Sequence, residues 1–553
     1  MLFGRNGHFM EQEVLTTLQQ WQHWTGEGFS MLPYVVRHPL AQGEDRPLTW
    51  QRAWRDYPAS FVLESGKSGR YTFLGLEPIE ILEGKDQRGL LKTADGQAVR
   101  LEGKPLRLLE KWMKPYRSPR LEAAPKFLGG CVGYFSYDIV RSLEKLPRQA
   151  KDDLPIPDYV FMRFEEVWVI DHRDRSLFCV VHHSAKGGQT ETSDMENAYL
   201  LTAERAQAMK KWWDDTLGKK ADQQAEKQYR QRVELWENLS YLKKQQVYSF
   251  EDEFASSIQP VFPKQDFIAA VHKIQNYIAE GDVFQVNLSV RQSKPLLADP
   301  TDIYEWLRIL NPSPYMGLLR LPHFQMVSAS PELLVQLEGA TVRTRPIAGT
   351  RRRGANPEED EALARELIEN EKERAEHIML VDLLRNDLGR VSEYGTVKVD
   401  ELMVIESYSH VMHIVSEVKG QLAKGKSLYD VIASIFPGGT ITGAPKIRTM
   451  EIVEELEPVR RGPYTGSLGW IDYNGNMELN IIIRTLLAVQ GTAHVQAGAG
   501  IVIDSVPEKE YEESLNKAKA LWKAIELSEW IVSSKDINAQ DMASTTGDLL
   551  NKT

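Results

Sequence analysis

Short runs of strand-forming residues, separated by turns, recur along most of this chain. They occupy residues 46–185 and then, more densely, 283–503. A lone strand leaves an edge unpaired and a face unburied. A chain with this many strands must therefore gather them into large sheets whose apolar faces meet. In the first stretch the runs lie at 61–63, 71–74, 129–137, 167–171 and 177–182, and their spacing predicts a mostly antiparallel layer. In the second, VFQVNLSVRQ begins at 283, and further runs fall at 317–321, 327–330, 395–399, 410–419, 467–473, 481–489 and 494–503. Helical periodicity interrupts them at 195–215, at 266–280 (closed by Gly281) and from 358 to 388, with two more helix starts near 444 and 507.

This pattern divides the 553 residues into a weakly patterned lead-in (1–45), a first β-rich region (46–215), a linker or helix rich in Lys, Gln and Glu (216–255), a denser second unit (256–530) and a polar tail (531–553). An apolar share of 42% is enough for a sizeable core. The net charge of -11 argues against a general nucleic-acid binder, which needs a basic stripe. It leaves room for an anionic small substrate, because a pocket can be locally positive on an acidic protein. Two cysteines, Cys131 and Cys179, exclude a disulfide framework and a four-cysteine zinc site, so a reducing cytoplasm is expected. No signal-peptide-like run opens the sequence, and no stretch of about 20 apolar residues predicts a membrane helix.

Two carboxylate pairs stand out. Glu373 and Glu376 lie in NEKERAEH, and Glu510 and Glu513 in PEKEYEES, each pair on one helix face with Lys517 one turn beyond Glu513. Either pair alone is more often a solvated face. Together they could form an oxygen-ligand site for a hard cation such as Mg²⁺, but spacing does not say that they meet. Three glycine-bearing turns could approach a ligand closely: RPIAGTRRRG (345–354), FPGGTITGAPKIRTM (436–450) and QAGAGIVIDS (496–505). In the second, Pro445 suits the first turn of a helix whose free amides favour an anion. None has the spacing of a nucleotide-binding loop. Arg484, inside the apolar run IIIRTLL, needs a partner, either a substrate carboxylate or an internal ion pair. His413 sits in the alternating run SHVMHIVS, where a lone histidine is more often structural. Arg351–Arg353 read as a solvated turn.

Taken together, these motifs resemble the chorismate-utilising enzymes. The match is close over 256–527 and looser in the first half, through LESGKSGRYTFLG and GGCVGYFSYD. The resemblance implies an α+β fold of two large, mainly antiparallel β-sheets packed face to face with helices outside. It implies that Glu376 and Glu513 hold Mg²⁺, with Glu373 and Glu510 supporting through water. Tyr464, Arg484, Gly500 and Lys517 then clamp the carboxylates of chorismate, with Gly439 also in the binding set. Thr350, Thr440 and His413 line the ring, and Glu332, in SASPELL, is the acid/base near the departing hydroxyl. Chorismate is a dianion, which is why such a site needs cations, amides and a metal.

Within the family, the isochorismate and salicylate synthases use water and lack the LES and GGCVGYFSYD features, which points to the ammonia-using branch. Ala348, in RPIAGT, matches the anthranilate synthases, whereas many aminodeoxychorismate synthases carry a nucleophilic lysine there and some carry alanine. Asn287 in VFQVNLS, Thr442 in FPGGTITGAPK, YTGSLGW, MELNIIIRTL and the short LESGKSGRYTF are similar to the aminodeoxychorismate synthase large subunits. The expected reaction is therefore chorismate plus ammonia to 4-amino-4-deoxychorismate, for 4-aminobenzoate and folate, with anthranilate formation as the alternative. Neither cysteine lies on a glutaminase elbow, so ammonia is expected from a separate glutamine amidotransferase subunit in a heterodimer. Glu64, Ser65, Pro314, Tyr315 and Met316 match segments that form a tryptophan site in anthranilate synthases; the plain alternative is that they pack the sheet interface.

Overall fold

Antiparallel pairing joins strands from both halves of the chain. The computed structural model describes residues 12–66, 69–185, 192–218, 223–244, 252–407 and 411–535. Among these, thirteen strands form one sheet and twelve a second. In the first sheet Ser60–Glu64 pairs with Tyr315–Leu321, and in the second Gly130–Phe135 pairs with Ser467–Asp472. Both sheets thus run across the division anticipated at 216–255. Between them lies an apolar layer that includes Phe61, Phe73, Val132, Leu468 and Trp470. Helices Thr192–Thr216, Pro300–Leu310 and Pro507–Lys535 cover the first sheet, and Glu371–Gly389 and Leu428–Ile435 the second. This is the expected architecture of two large antiparallel sheets face to face with helices outside. No helix among the described residues is long and apolar enough to cross a membrane.

Local differences from the sequence reading have physical causes. The run at 481–489 is two strands, Met477–Ile481 in the second sheet and Thr485–Val489 in the first. The chain crosses between sheets at 482–484, where Arg484 takes φ 52°. Apolar residues continue through the crossing because both sheets bury them, so periodicity could not reveal it. The helix expected over 358–388 is two, Pro357–Glu369 and Glu371–Gly389. Asn370 breaks it with ψ 113° and accepts from the Glu373 amide at 3.0 Å, which puts Glu373 in a first helical turn. Pro445 is the N-cap of Lys446–Leu456 rather than part of its first turn.

The lead-in carries a helix, Leu18–Gly26, and a nine-residue strand, Met31–Pro39, paired with Ser176–Ser184. Much of 216–255 is helical, as Gln223–Lys244, where Arg232 bonds Asp302 at 3.0 Å. The last helix continues to Lys535, into the expected tail; 536–553 lie outside the described residues, as do 67–68 of LESGKSGR and His410. Arg351–Arg353 are not a free turn: they pair with Glu366, Glu359 and Asp360 and pin the helix Pro357–Glu369.

Arg461 and Glu457 form an almost wholly buried ion pair at 2.8 Å. Arg461 also donates to the carbonyls of Ile441 (2.9 Å) and Asn287 (2.6 Å), and Glu457 accepts from the Ser289 amide and hydroxyl. The pair ties the strand Gln285–Pro295 to the turn Gly439–Ile441. Removing one partner leaves the other charge buried, which costs about 3–5 kcal/mol. Arg461→Met should therefore lower urea-unfolding stability by that amount, and adding Glu457→Leu should restore part of it. A double variant as unstable as the sum of the singles would show that the two charges do not interact.

Candidate active site

Two adjacent segments cross between the sheets together. Phe324–Ser330 lies in the first sheet and Leu333–Glu338 in the second, so this crossing falls at Pro331–Glu332, beside the one at 482–484. Three hydrogen bonds hold them: Ala329 N to Arg484 O (3.0 Å), Ile481 N to Glu332 O (3.0 Å) and Ser330 Oγ to Ile481 O (2.6 Å). Glu332 and Arg484 are thereby brought to the same break in the sandwich.

Glu332 is buried, and burial pushes its carboxyl up to about 7. The Thr440 hydroxyl pulls the other way, without a fully formed hydrogen bond. Thr440 belongs to the turn Gly439–Ile441, and Gly439 is pressed against Leu383 of the helix Glu371–Gly389, where a side chain would collide.

Arg484 donates to the Lys517 carbonyl at 2.6 Å. Among the described residues no carboxylate lies within ion-pairing distance of its guanidinium, so the internal ion pair left open by the sequence is not formed. Burial lowers its pKa, while Tyr464 and Glu513 oppose that shift. Lys517 Nζ donates to Gly498 O (2.9 Å) and pairs with Glu513 (2.8 Å). Gly500 leaves the space that the Gln285 amide fills, and Gln285 donates to Glu376 at 2.9 Å. Gln285 had no assigned role; the available signal was a run of polar residues at alternate positions of an apolar strand.

His413 stands opposite Thr350 in register. Its Nδ1 lies 3.1 Å from Gly349 O and 3.0 Å from Thr350 Oγ1. A carbonyl only accepts, so Nδ1 carries the hydrogen and Nε2 is left as an acceptor. Burial, with the Arg484 charge, lowers the histidine pKa, and the Gly349 bond opposes. The ring is neutral at physiological pH.

The four carboxylates lie near the starts of two helices, Glu371–Gly389 and Pro507–Lys535. Glu373 pairs with Arg351 at 3.1 Å, Glu376 with Gln285, and Glu513 with Lys517. Burial raises the Glu510 pKa; Ser505 opposes, Glu513 adds, and Lys517 and Lys372 oppose. Lys372 stands between Glu371 and Glu373, so the starts of the two helices face one another. Among the described residues no three metal-ligating side chains converge. The four carboxylates offer oxygen donors only. That chemistry fits Mg²⁺, which keeps water and takes substrate oxygens.

A separate pocket is lined by Glu64, Ser65, Pro314, Tyr315 and Met316, with Trp470 and Asn480. Glu64 is itself occupied, accepting from Tyr304 (2.5 Å) and pairing with Arg308 (3.1 Å). These segments join the sheets and also line a space.

A family model described as chorismate binding enzyme matches residues 59–523. The chain belongs to the chorismate binding enzyme family. It is 48% identical over 468 residues to the aminodeoxychorismate synthase component 1 of Bacillus subtilis, covering 85% of this chain and 92% of that protein. It is 42% identical over 486 residues to the anthranilate synthase component 1 of Acetivibrio thermocellus, covering 87% and 93%. The crystal structure of anthranilate synthase component I from Streptococcus pneumoniae superposes with TM-score 0.63 at 31% identity, over 83% of this chain and 93% of that one.

The raised Glu332 pKa has a stability consequence. Its carboxyl binds a proton more tightly folded than unfolded, so its contribution is fully present below about 4.5 and is lost as pH rises through about 7. The shift corresponds to roughly 3 kcal/mol. Glu332→Gln should gain about that much stability relative to wild type between pH 4 and pH 9 in urea unfolding. A pH-independent difference would show that Glu332 is not an abnormal acid.

Proposed function

We propose that the protein is the chorismate-aminating component of an aminodeoxychorismate synthase, converting chorismate and ammonia to 4-amino-4-deoxychorismate. The carrying observation is that a buried acid half-protonated near neutrality, Glu332, stands at the same paired sheet crossing as Arg484, a buried cation without a carboxylate partner. Similarity to the Bacillus subtilis protein supports the choice of product, as do Asn287, Thr442, YTGSLGW and MELNIIIRTL.

In this reading Arg484, Tyr464, Lys517 and the backbone at Gly500 hold the substrate carboxylates, and His413, Thr350, Gly439 and Thr440 bound the ring. The Glu332 carboxyl gives its proton to the ring hydroxyl, which leaves as water. The nitrogen lone pair forms the new C–N bond, and a proton lost from nitrogen returns to Glu332. Ala348 offers no amine, so a lysine adduct at that position is not part of the route. Glu376 and Glu513 would hold Mg²⁺, with Glu373 and Glu510 through water; when bound it supplies Lewis-acid withdrawal of electron density at a substrate carboxylate. Cys131 and Cys179 are buried free thiols whose pKa burial raises, which suits neither for a glutaminase nucleophile. Ammonia then comes from a separate glutamine amidotransferase subunit in a cytoplasmic heterodimer.

The second reading, anthranilate synthase component I, is favoured by Ala348. Incubation with chorismate, Mg²⁺ and ammonium at alkaline pH separates the two. Chorismate loss without fluorescence, followed by 4-aminobenzoate once a lyase is added, is the expected result. Immediate anthranilate fluorescence would establish the second reading, and no turnover would sink both. Glu332→Gln should reduce kcat about 10²-fold or more, and full Mg²⁺-dependent turnover by Glu376→Gln would overturn the metal assignment.

A further inference from the structure

Among the described residues, six that are not glycine take left-handed backbone. Asp86, Arg175 and Gln490 sit in the tight turns that join consecutive strands, where this conformation is ordinary. Met403 falls at a register shift of its strand. The other two are Thr465 (φ 61°) and Arg484 (φ 52°), and they lie on adjacent segments. Thr465 N donates to Ile482 O at 2.8 Å, and Ile482 N donates to Gly466 O at 2.9 Å. Arg484 is the buried cation of the candidate site. Thr465 directly follows Tyr464.

Thr465 is the more unusual of the two. Gly466 N donates to Pro463 O at 2.9 Å, which closes a four-residue turn with Thr465 in its third position. A positive φ in that position calls for glycine or asparagine, and a β-branched side chain is poorly suited to it. Nor can the turn slide, because a side chain on Gly466 would begin 2.1 Å from Phe135 O. Thr465 is 1% exposed, so no contact with solvent explains its presence. Its hydroxyl does. It donates to Tyr464 O at 2.5 Å and accepts from Arg461 Nη1 at 3.3 Å. The same Arg461 nitrogen donates to Ile441 O at 2.9 Å, in the turn that carries Gly439 and Thr440. Thr465 therefore ties three segments together: Tyr464 through its carbonyl, the Gly439–Ile441 turn through Arg461, and the crossing at 482–484 through its own amide. Glycine would satisfy the turn and the amide bond but not the other two links. Burial raises the Tyr464 pKa; Arg461 opposes, Glu457 adds and Arg484 opposes. The phenol thus stands in the field of both guanidinium groups, and a shift of its backbone would change what an anion at Arg484 meets.

We propose that Thr465 is a positioning residue for anion binding, whose buried hydroxyl and left-handed backbone hold Tyr464 and the Arg484 crossing in the relation that a substrate carboxylate requires. The proposal rests on the chorismate-binding roles given to Arg484 and Tyr464 above, and it gives Thr465 no contact with substrate. Strain of this kind persists where the surrounding structure over-determines it. Here the surroundings need a hydroxyl at a place where the turn alone would take glycine.

Three variants separate the hydroxyl from the turn. Thr465→Ser keeps the hydroxyl, Thr465→Ala removes it, and Thr465→Gly removes it together with the backbone strain. At saturating Mg²⁺ and ammonium, Thr465→Ala and Thr465→Gly should raise the chorismate KM ~10-fold or more with kcat within about threefold of wild type, and Thr465→Ser should restore both constants. The ammonium KM should stay within about twofold of wild type in all three. Thermal melting identifies the folded variants. A chorismate KM within about twofold of wild type in either folded variant lacking the hydroxyl, or no restoration by serine, would overturn the proposal and leave Thr465 as a turn residue only. Arg484→Met tests the reading beneath it: an unchanged chorismate KM there would sink the role of Arg484 itself, whatever the Thr465 variants do.

Discussion

The paired crossing of two strands between the sheets is the constraint on which the rest of this structure depends. At Pro331–Glu332 and at Ile482–Arg484 the chain leaves one sheet and joins the other, and the two breaks hydrogen-bond to each other. A continuous sandwich would have closed here over apolar side chains. The double break instead brings one buried acid, Glu332, and one buried cation, Arg484, to the same place. The first half of the chain crosses in the same manner, between Tyr71–Gly75 and Glu80–Lys85 and between Tyr159–Phe164 and Glu166–Asp171. There Arg163 and Glu80 bond each other at 2.7 Å. The same topological device yields a closed ion pair in one half and an unpaired cation in the other.

That contrast explains what was legible in the sequence. Strand runs with alternating or continuous apolar character signalled two sheets, because burial dictates residue type directly. The carboxylate pairs were visible because i,i+3 spacing is local. Whether they meet depends on two helix starts far apart in sequence, which no local spacing encodes, and among the described residues no three such groups converge. The Asn370 break was hidden by good helix formers on both sides. Arg484 looked like an interior strand residue because its apolar neighbours belong to two sheets at once. Gln285 was marked only as one of several polar residues at alternate positions of its strand; its contact with Glu376 follows from the room that Gly500 leaves. Named roles for the site residues came from family resemblance, because no local pattern encodes a long-range pairing.

The Arg461–Glu457 pair supports the site from behind. By holding the Ile441 carbonyl it fixes the turn that presents Gly439 and Thr440, and its guanidinium lies 5.6 Å from the Tyr464 ring centre. Cation–ring contact of this kind favours a fixed ring over a mobile one. The buried charge thus positions the Gly439–Ile441 turn and the Tyr464 ring, which accounts for its presence in an otherwise apolar layer.

In the proposed function Arg484 is the group through which an acidic chain receives a dianion. The protein carries a net charge of -11, yet the cleft contains a buried guanidinium whose nearest polar contact is a carbonyl. Its left-handed backbone adds strain of order 1–3 kcal/mol, the price of placing a long side chain at a sheet crossing. Both features disfavour the empty state. In the proposed function a substrate carboxylate supplies the missing counter-charge in a region of low dielectric, where that interaction is far stronger than at the surface. The local field, not the net charge, decides which ligand the fold accepts.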